Sequence, residues 1–288
     1  MAGSPSVDFP EEKTMKTRSL LPGLALLSLG LIGCDSVPTD APIPDQPNFI
    51  THGGLDGNAH PAVVLILMEV DGVPAFRCSG TLISSTIVLT AGHCAGAPGE
   101  FSGIRIFTEA DVDNGDNNYP FAGPNSVEAK AWHSHPLYTD ALFYLHDVGV
   151  IELAGRVRLP EDQYGVLPTV DQLDALKPSN STKFTAVGYG LQRITAAFSE
   201  SARIRMTAEP HLVQINTGFT GSFSLLLSNN ASSDSTCFSD SDNPNYLSKS
   251  NVITSITSFE LNGSCGGTSG VFRVDRQDVL DFVNKYLH

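Results

Sequence analysis

The sequence predicts an all-β domain that ends in one helix. Three observations carry this reading. About eleven short runs rich in Val, Ile, Leu, Thr and Phe are separated by Gly, Pro, Asn and Asp, which is how strands and turns alternate. Two of these runs, residues 81–83 and 87–89, are split by a Ser-Ser-Thr turn and bracketed by Cys78 and Cys94. After Asp275 the period changes to helical, with Val279, Leu280, Phe282, Val283, Tyr286 and Leu287 on one face and Asp275 as the expected N-cap. Many short strands with polar turns make either a sandwich or a pair of barrels.

Taken in order, the chain begins with a polar, acidic stretch over residues 1–14. From Met15 it reads Met-Lys-Thr-Arg, then an apolar run, then Leu31-Ile32-Gly33-Cys34. A basic start, an apolar centre and a small residue before the cut make a secretory signal over residues 1–33, with Met15 as the expected initiator. The run holds Pro22 and falls short of the roughly 20 residues a spanning helix needs. Its ending resembles a bacterial lipobox, which implies cleavage before Cys34 and a lipid on that sulfur. Residues 34–49 carry Pro38, Pro42, Pro44 and Pro47 with Asp35, Asp40 and Asp45 between them, a stiff spacer without apolar period. The folded domain is expected over residues 50–288. Its strands are expected at 63–68, 104–108, 148–153, 184–189, 204–208, 212–216, 224–227, 252–259 and 271–274, besides the cysteine-bracketed pair.

Composition bounds the function. With 17 Lys+Arg against 31 Asp+Glu the formal charge is −14, which argues against a nucleic-acid partner and leaves no basic patch for anionic lipid. The membrane is then reached only through Cys34, and a monomer in the cell envelope, tethered or released, is expected. Hydrophobic residues make up 41% of the chain, enough for a full core. Of five cysteines, lipidation would use Cys34 and leave four for two disulfides in an oxidising compartment.

His93 stands beside Cys94. A Cys78–Cys94 bridge would be worth about 3 kcal/mol and would hold the backbone of that histidine. A histidine so constrained suits a general base, whereas the plainer alternative is a core disulfide with a bystander ring. Cys78-Ser-Gly-Thr-Leu-Ile-Ser, followed by Leu89-Thr-Ala-Gly-His-Cys94, resembles the histidine motif of trypsin-like serine proteases, the chymotrypsin family. His146-Asp147-Val148-Gly149-Val150 resembles the family's aspartate segment, and Cys237-Phe238-Ser239-Asp240-Ser241-Asp242-Asn243-Pro244 its Cys-x-Gly-Asp-Ser-Gly-Gly-Pro motif. The order along the chain is the family's.

The resemblance implies two six-stranded antiparallel β-barrels with the site between them and a C-terminal helix. It implies Ser241 as nucleophile, His93 as base and Asp147 as the residue orienting it, with the amides of Ser239 and Ser241 as oxyanion hole and no cofactor or metal. Disulfides Cys78–Cys94 and Cys237–Cys265 are implied likewise. Ser235 falls at the specificity position, Ser258 and Phe259 in the segment that binds substrate backbone, and Glu260 where a glycine usually leaves the pocket mouth open. Gly270 matches a glycine that leaves room in the pocket wall. The implied substrate is a protein or peptide cut after an aromatic or large aliphatic side chain, and the implied mature start is Ile50. Three of the family's glycines are replaced, by Ser239, Asp242 and Asn243. A side chain where the backbone must reach positive φ costs about 1–2 kcal/mol, and a lost oxyanion donor costs roughly 10²–10³ in turnover. These changes imply weakened catalysis and support a second reading, an inactive, lipid-anchored binding module.

Other signals are read plainly. Residues 111–116 start like a calcium loop but lack the closing Glu, and are expected as a solvated acidic turn. His133 and His135 are expected on a surface loop, and Trp132 in the core.

Overall fold

A computed structural model of the protein describes residues 53–142, 144–190, 193–194, 199–200, 202–216, 218, 220–229, 243–260 and 267–287, all within the unit Asp45–His288. The expected signal, Cys34, the spacer and Ile50 lie outside the described residues.

Six strands form the first barrel, β1 (Val63–Val70), β2 (Val73–Leu82), β3 (Ile87–Thr90), β4 (Gly103–Phe107), β5 (Ser126–Ser134) and β6 (Gly149–Leu153). They close into an antiparallel barrel in the order β1-β2-β3-β6-β5-β4. Asp71 and Gly72 join β1 to β2 with φ of 52° and 75°. An Asp-Gly pair with both φ positive twists a tight hairpin the way its strands twist. Six consecutive side chains of β1, Val63 to Met68, are buried. Val63, Leu65 and Leu67 pack in one cluster, and Val64, Ile66 and Met68 in another, so the strand is covered on both faces and reads as an unbroken apolar run.

The second six are β7 (Ser179–Gly188), β8 (His211–Ile215), β9 (Ser224–Asn229), β10 (Pro244–Leu247), β11 (Ile253–Glu260) and β12 (Gly267–Arg273). Their order is β7-β8-β9-β12-β11-β10, and β10 pairs back onto β7 through Tyr246↔Thr185 and Asn245↔Ala186. This is the strand order of the first barrel, a repeat of which the sequence carries no trace. Gly54–Leu55 and Met206–Ala208 extend the sheet beyond β7. Among the described residues two α-helices accompany the strands, α1 (Gly92–Ala95) and α2 (Gln277–Asn284). The all-β class, the two six-stranded barrels and the terminal helix therefore stand as expected.

Three expectations are corrected. The segment Ser126–Ser134 has no apolar run, yet it forms β5, because β4 and β6 on either side supply a complete hydrogen-bonding ladder. His133 is consequently a strand residue stacked on Tyr286 at 4.7 Å, and His135 is buried, so neither belongs to a surface loop. Asp275 does not cap α2: Arg276 stands at the N-cap without a side-chain bond. The buried Asp275 carboxylate instead accepts from Arg273 Nε and NH2, at 2.8 and 2.7 Å, and from the Leu173 amide at 2.8 Å. A buried guanidinium outcompetes a helix end for a carboxylate, since leaving either charge unpaired in the interior costs several kcal/mol.

The residues that cover the barrels follow from α2. Val279, Leu280, Phe282 and Val283 are its buried face, and they join Leu65, Leu89, Val150, Ile256 and Phe272 in one cluster. Burying a side chain of this kind fully is worth about 1.5–3 kcal/mol. The helix thereby joins residues of both barrels in one apolar cluster.

Candidate active site

β3 runs directly into α1, so His93 sits one residue into a four-residue helix at the end of a buried strand. Cys78 of β2 is bonded to Cys94, with the two Cα atoms 6.3 Å apart, so the expected staple is present. Gly96 at φ 70° ends the helix, its amide donating to the Gly92 carbonyl at 2.9 Å. Asp147 enters from the other side, just before β6. Gly149 permits that approach: a Cβ there would stand 2.5 Å from the Ala91 carbonyl oxygen.

The structure brings His93 and Asp147 together. His93 Nδ1 lies 3.1 Å from both carboxylate oxygens of Asp147, and the His93 backbone amide donates to Oδ1 at 3.1 Å. The Asp147 side chain is 1% exposed, whereas the His93 ring is 33% exposed. A third donor, Ser258 Oγ of β11, reaches Asp147 Oδ2 at 2.5 Å. The carboxylate accepts a hydrogen bond from Nδ1–H, which orients the ring and leaves Nε2 as its basic nitrogen. Tyr138 packs over α1, within 2.9 Å of where a Gly92 Cβ would be. Burial, then the charge of Asp147, pushes its phenol well above the ordinary tyrosine range, so it stays neutral beside the pair.

Ser258 was expected in the segment that binds substrate. Its bond to Asp147 is additional and links the second barrel to the dyad of the first. No spacing in the sequence points to that bond, because β11 and β6 meet only in the closed fold. Phe259 follows it on β11, and its ring lies over Gly270: a Cβ there would stand 2.2 Å from Phe259 Cζ. The space that Gly270 leaves is thus the space Phe259 fills. Ser235, Cys237, Ser239, Ser241 and Cys265 lie outside the described residues, as does the side chain of Glu260. Asn243, one of the replaced glycines, is described. Its buried carboxamide sits against Gly188, where a Cβ would come 1.5 Å from Oδ1.

A second polar cluster escaped the sequence reading. Arg205 and Asp56 are both fully buried and pair at 3.0 Å, and Arg205 also donates to the Tyr189 hydroxyl at 3.2 Å and to the Val63 carbonyl at 2.8 Å. His60 Nδ1 lies 2.5 Å from Asp56. Burial works to raise the Asp56 carboxyl, but the His60 hydrogen bond and the charges of His60 and Arg205 outweigh it and hold the group below the usual range. Burial also raises the Tyr189 phenol, to about 12.

Two antiparallel barrels, with a histidine of one oriented by a buried aspartate that the other barrel braces, define the trypsin-like class of fold. The family follows directly. The family model described as Trypsin matches residues 54–282, and the chain belongs to that family. Serine protease Hayan of Drosophila melanogaster is 25% identical over 141 residues, which cover 49% of this chain and 21% of that protein. Venom serine protease Bi-VSP of Bombus ignitus is 35% identical over 101 residues, 35% of this chain and 26% of that protein. The matches thus span about a fifth to a quarter of these curated relatives. Among solved structures, HL collagenase superposes with a TM-score of 0.64 at 20% identity, covering 82% of this chain and 97% of that one, and at that identity the likeness is one of fold. Among the described residues no helix is long and apolar enough to cross a membrane.

Proposed function

We propose that the protein is a serine endopeptidase acting through His93, Asp147 and Ser241. The observation that carries the reading is the His93–Asp147 pair, in which the buried Asp147 carboxylate accepts from the His93 amide, His93 Nδ1 and Ser258 Oγ. Ser241 attacks the peptide carbonyl while His93 Nε2 takes its proton and later hands it to the leaving amine. Asp147 stabilises the imidazolium without itself being protonated. The amides of Ser239 and Ser241 hold the oxyanion. Ser235, Ser258, Phe259, Glu260 and Gly270 line the substrate pocket, with Cys237–Cys265 bracing its wall. The active form begins at Ile50, and Cys34 carries a lipid that tethers the precursor to a bacterial membrane.

A second reading is favoured by the replaced glycines: a binding module that holds a peptide in the cleft without cutting it. Asn243 supports it, since its side chain fills space beside Gly188 close to the nucleophile segment. Labelling with a fluorophosphonate separates the two. Covalent labelling of the wild type that disappears in Ser241→Ala supports the enzyme, and no labelling of either supports the binding module. The tether is tested separately. Cys34→Ala should move the protein from the membrane to the soluble fraction, and an unchanged distribution rejects lipidation at that residue.

A further inference from the structure

His146 immediately precedes Asp147, and its backbone is left-handed, with φ 55°. For a residue other than glycine this region is sparsely occupied, although His, Asn and Asp tolerate it best. Its carbonyl accepts from the Val148 amide at 2.8 Å, closing a three-residue turn with Asp147 at the apex. The side chain of His146 makes contacts with three separate parts of the fold. Nε2 lies 3.0 Å from Asp278 Oδ2 in the first turn of α2. The ring stacks on His135, with centroids 4.8 Å apart and planes inclined by 14°, and meets Phe223 at 4.9 Å. His135 is itself fixed: its amide donates to the Val148 carbonyl at 2.9 Å, and its ring meets Phe282 of α2 at 5.1 Å.

The turn that presents Asp147 is therefore clamped from outside the dyad. One side of it is fastened to α2 and the other to the strand end after β5. Neither clamp follows from any local preference of the sequence. A turn of this kind holds its apex only as well as its flanking residue is held, because rotating His146 out of the left-handed region swings the Asp147 carboxylate.

We propose that His146 is a positioning residue for the His93–Asp147 pair, its side chain anchored on Asp278 of α2 so that the turn aims Asp147 at His93. This rests on the reading of that pair as the acid–base machinery. The test uses the full chain labelled with 15N. Imidazole 1H–15N correlation at one neutral pH reads which ring nitrogen of His93 carries the proton, with Asp147→Ala as the reference for a lost partner. His146→Asn keeps a residue that tolerates the left-handed backbone and removes the anchor. Asp278→Ala removes the same anchor from the helix side, at a residue 43% exposed in its side chain, where folding is safe. In both variants the His93 signals should move from the wild-type position toward that of Asp147→Ala, and the double variant should move no further than either single one. Labelling of Ser241 by a fluorophosphonate should slow about tenfold to hundredfold, the loss a small misplacement brings. A wild-type His93 signal in either variant overturns the proposal, even if that variant melts earlier. Absence of labelling in the wild type would overturn the enzyme reading alone, because the tautomer readout does not depend on Ser241.

Discussion

The two barrels share one strand order but are held together by different chemistry. The first is built on β1, whose six buried side chains are aliphatic or methionine, and on the Cys78–Cys94 bridge. The second buries Asn243, Asn245, Thr254, Ser255, Ser269 and Arg273, and Arg273 is matched by Asp275. Several of those groups, among them Asn243 Nδ2, Asn245 Oδ1 and Ser255 Oγ, have no hydrogen-bond partner among the described residues. Apolar burial is non-directional and tolerant, while a buried polar network stabilises only when its members are paired. The barrel that carries both His93 and Asp147 is thus the one built on the apolar strand and the disulfide. Among the described residues, the polar barrel lends the His93–Asp147 pair the Ser258 hydroxyl.

The sharpest way to break this contrast is to cut the ion pair of the second barrel. Arg273→Met should cost about 3–5 kcal/mol by urea unfolding, because it leaves the Asp275 charge buried and short of its partner. Replacing both residues, Arg273→Met with Asp275→Leu, should recover most of that loss. If the single change costs less than about 1 kcal/mol, the second barrel is not held by this pair.

For the first barrel the matching test is Cys78→Ala together with Cys94→Ala. The bridge spans 16 residues, and its loss should cost about 3 kcal/mol in chain entropy while leaving the barrel folded. A protein that fails to fold without the bridge would show that the aliphatic core is not sufficient.

Ser258→Ala tests the link between the barrels. A hydrogen bond to a charged group is worth about 1.5–3 kcal/mol of stability, so the melting temperature should fall, and labelling of Ser241 should slow by roughly 10- to 100-fold, the loss a small misplacement brings. An unchanged labelling rate would reduce Ser258 to a bystander.

The smallest effect is expected from His135. Burial, then the neighbouring His146, pushes its imidazole below the ordinary value of 6.5. The unfolded chain then binds the proton first, so stability is complete above that value and falls as pH drops from there toward the lowered folded value. One proton limits the slope to about 1.4 kcal/mol per pH unit. Melting at pH 7.5 and 5.5 should show a drop that His135→Phe reduces, and an equal drop in both proteins would assign the effect elsewhere.

Much of this was legible in the residues. The runs at 63–68, 87–89 and 271–274 name their strands because a strand covered on both faces must be apolar throughout. The histidine beside Cys94 and the aspartate before Val148 are paired in the sequence by the resemblance of their segments to the trypsin-like motifs. β5 was illegible for the opposite reason: its side chains are half exposed, and its backbone partners come from strands on either side. Asp275 looked like a cap because Arg273, two residues away, declares its burial only once the sheet has closed.

The amino-acid order by itself determined the all-β class and the terminal helix, since periodicity is a local property, while the partnership of His93 and Asp147 is what the resemblance of their motifs implies. Only the tertiary structure decided that Ser258 braces Asp147, that Phe259 covers Gly270, and that His146 is tied to α2. Each of these joins residues that are neighbours by strand order and helix docking, and a one-dimensional pattern carries no record of such proximity.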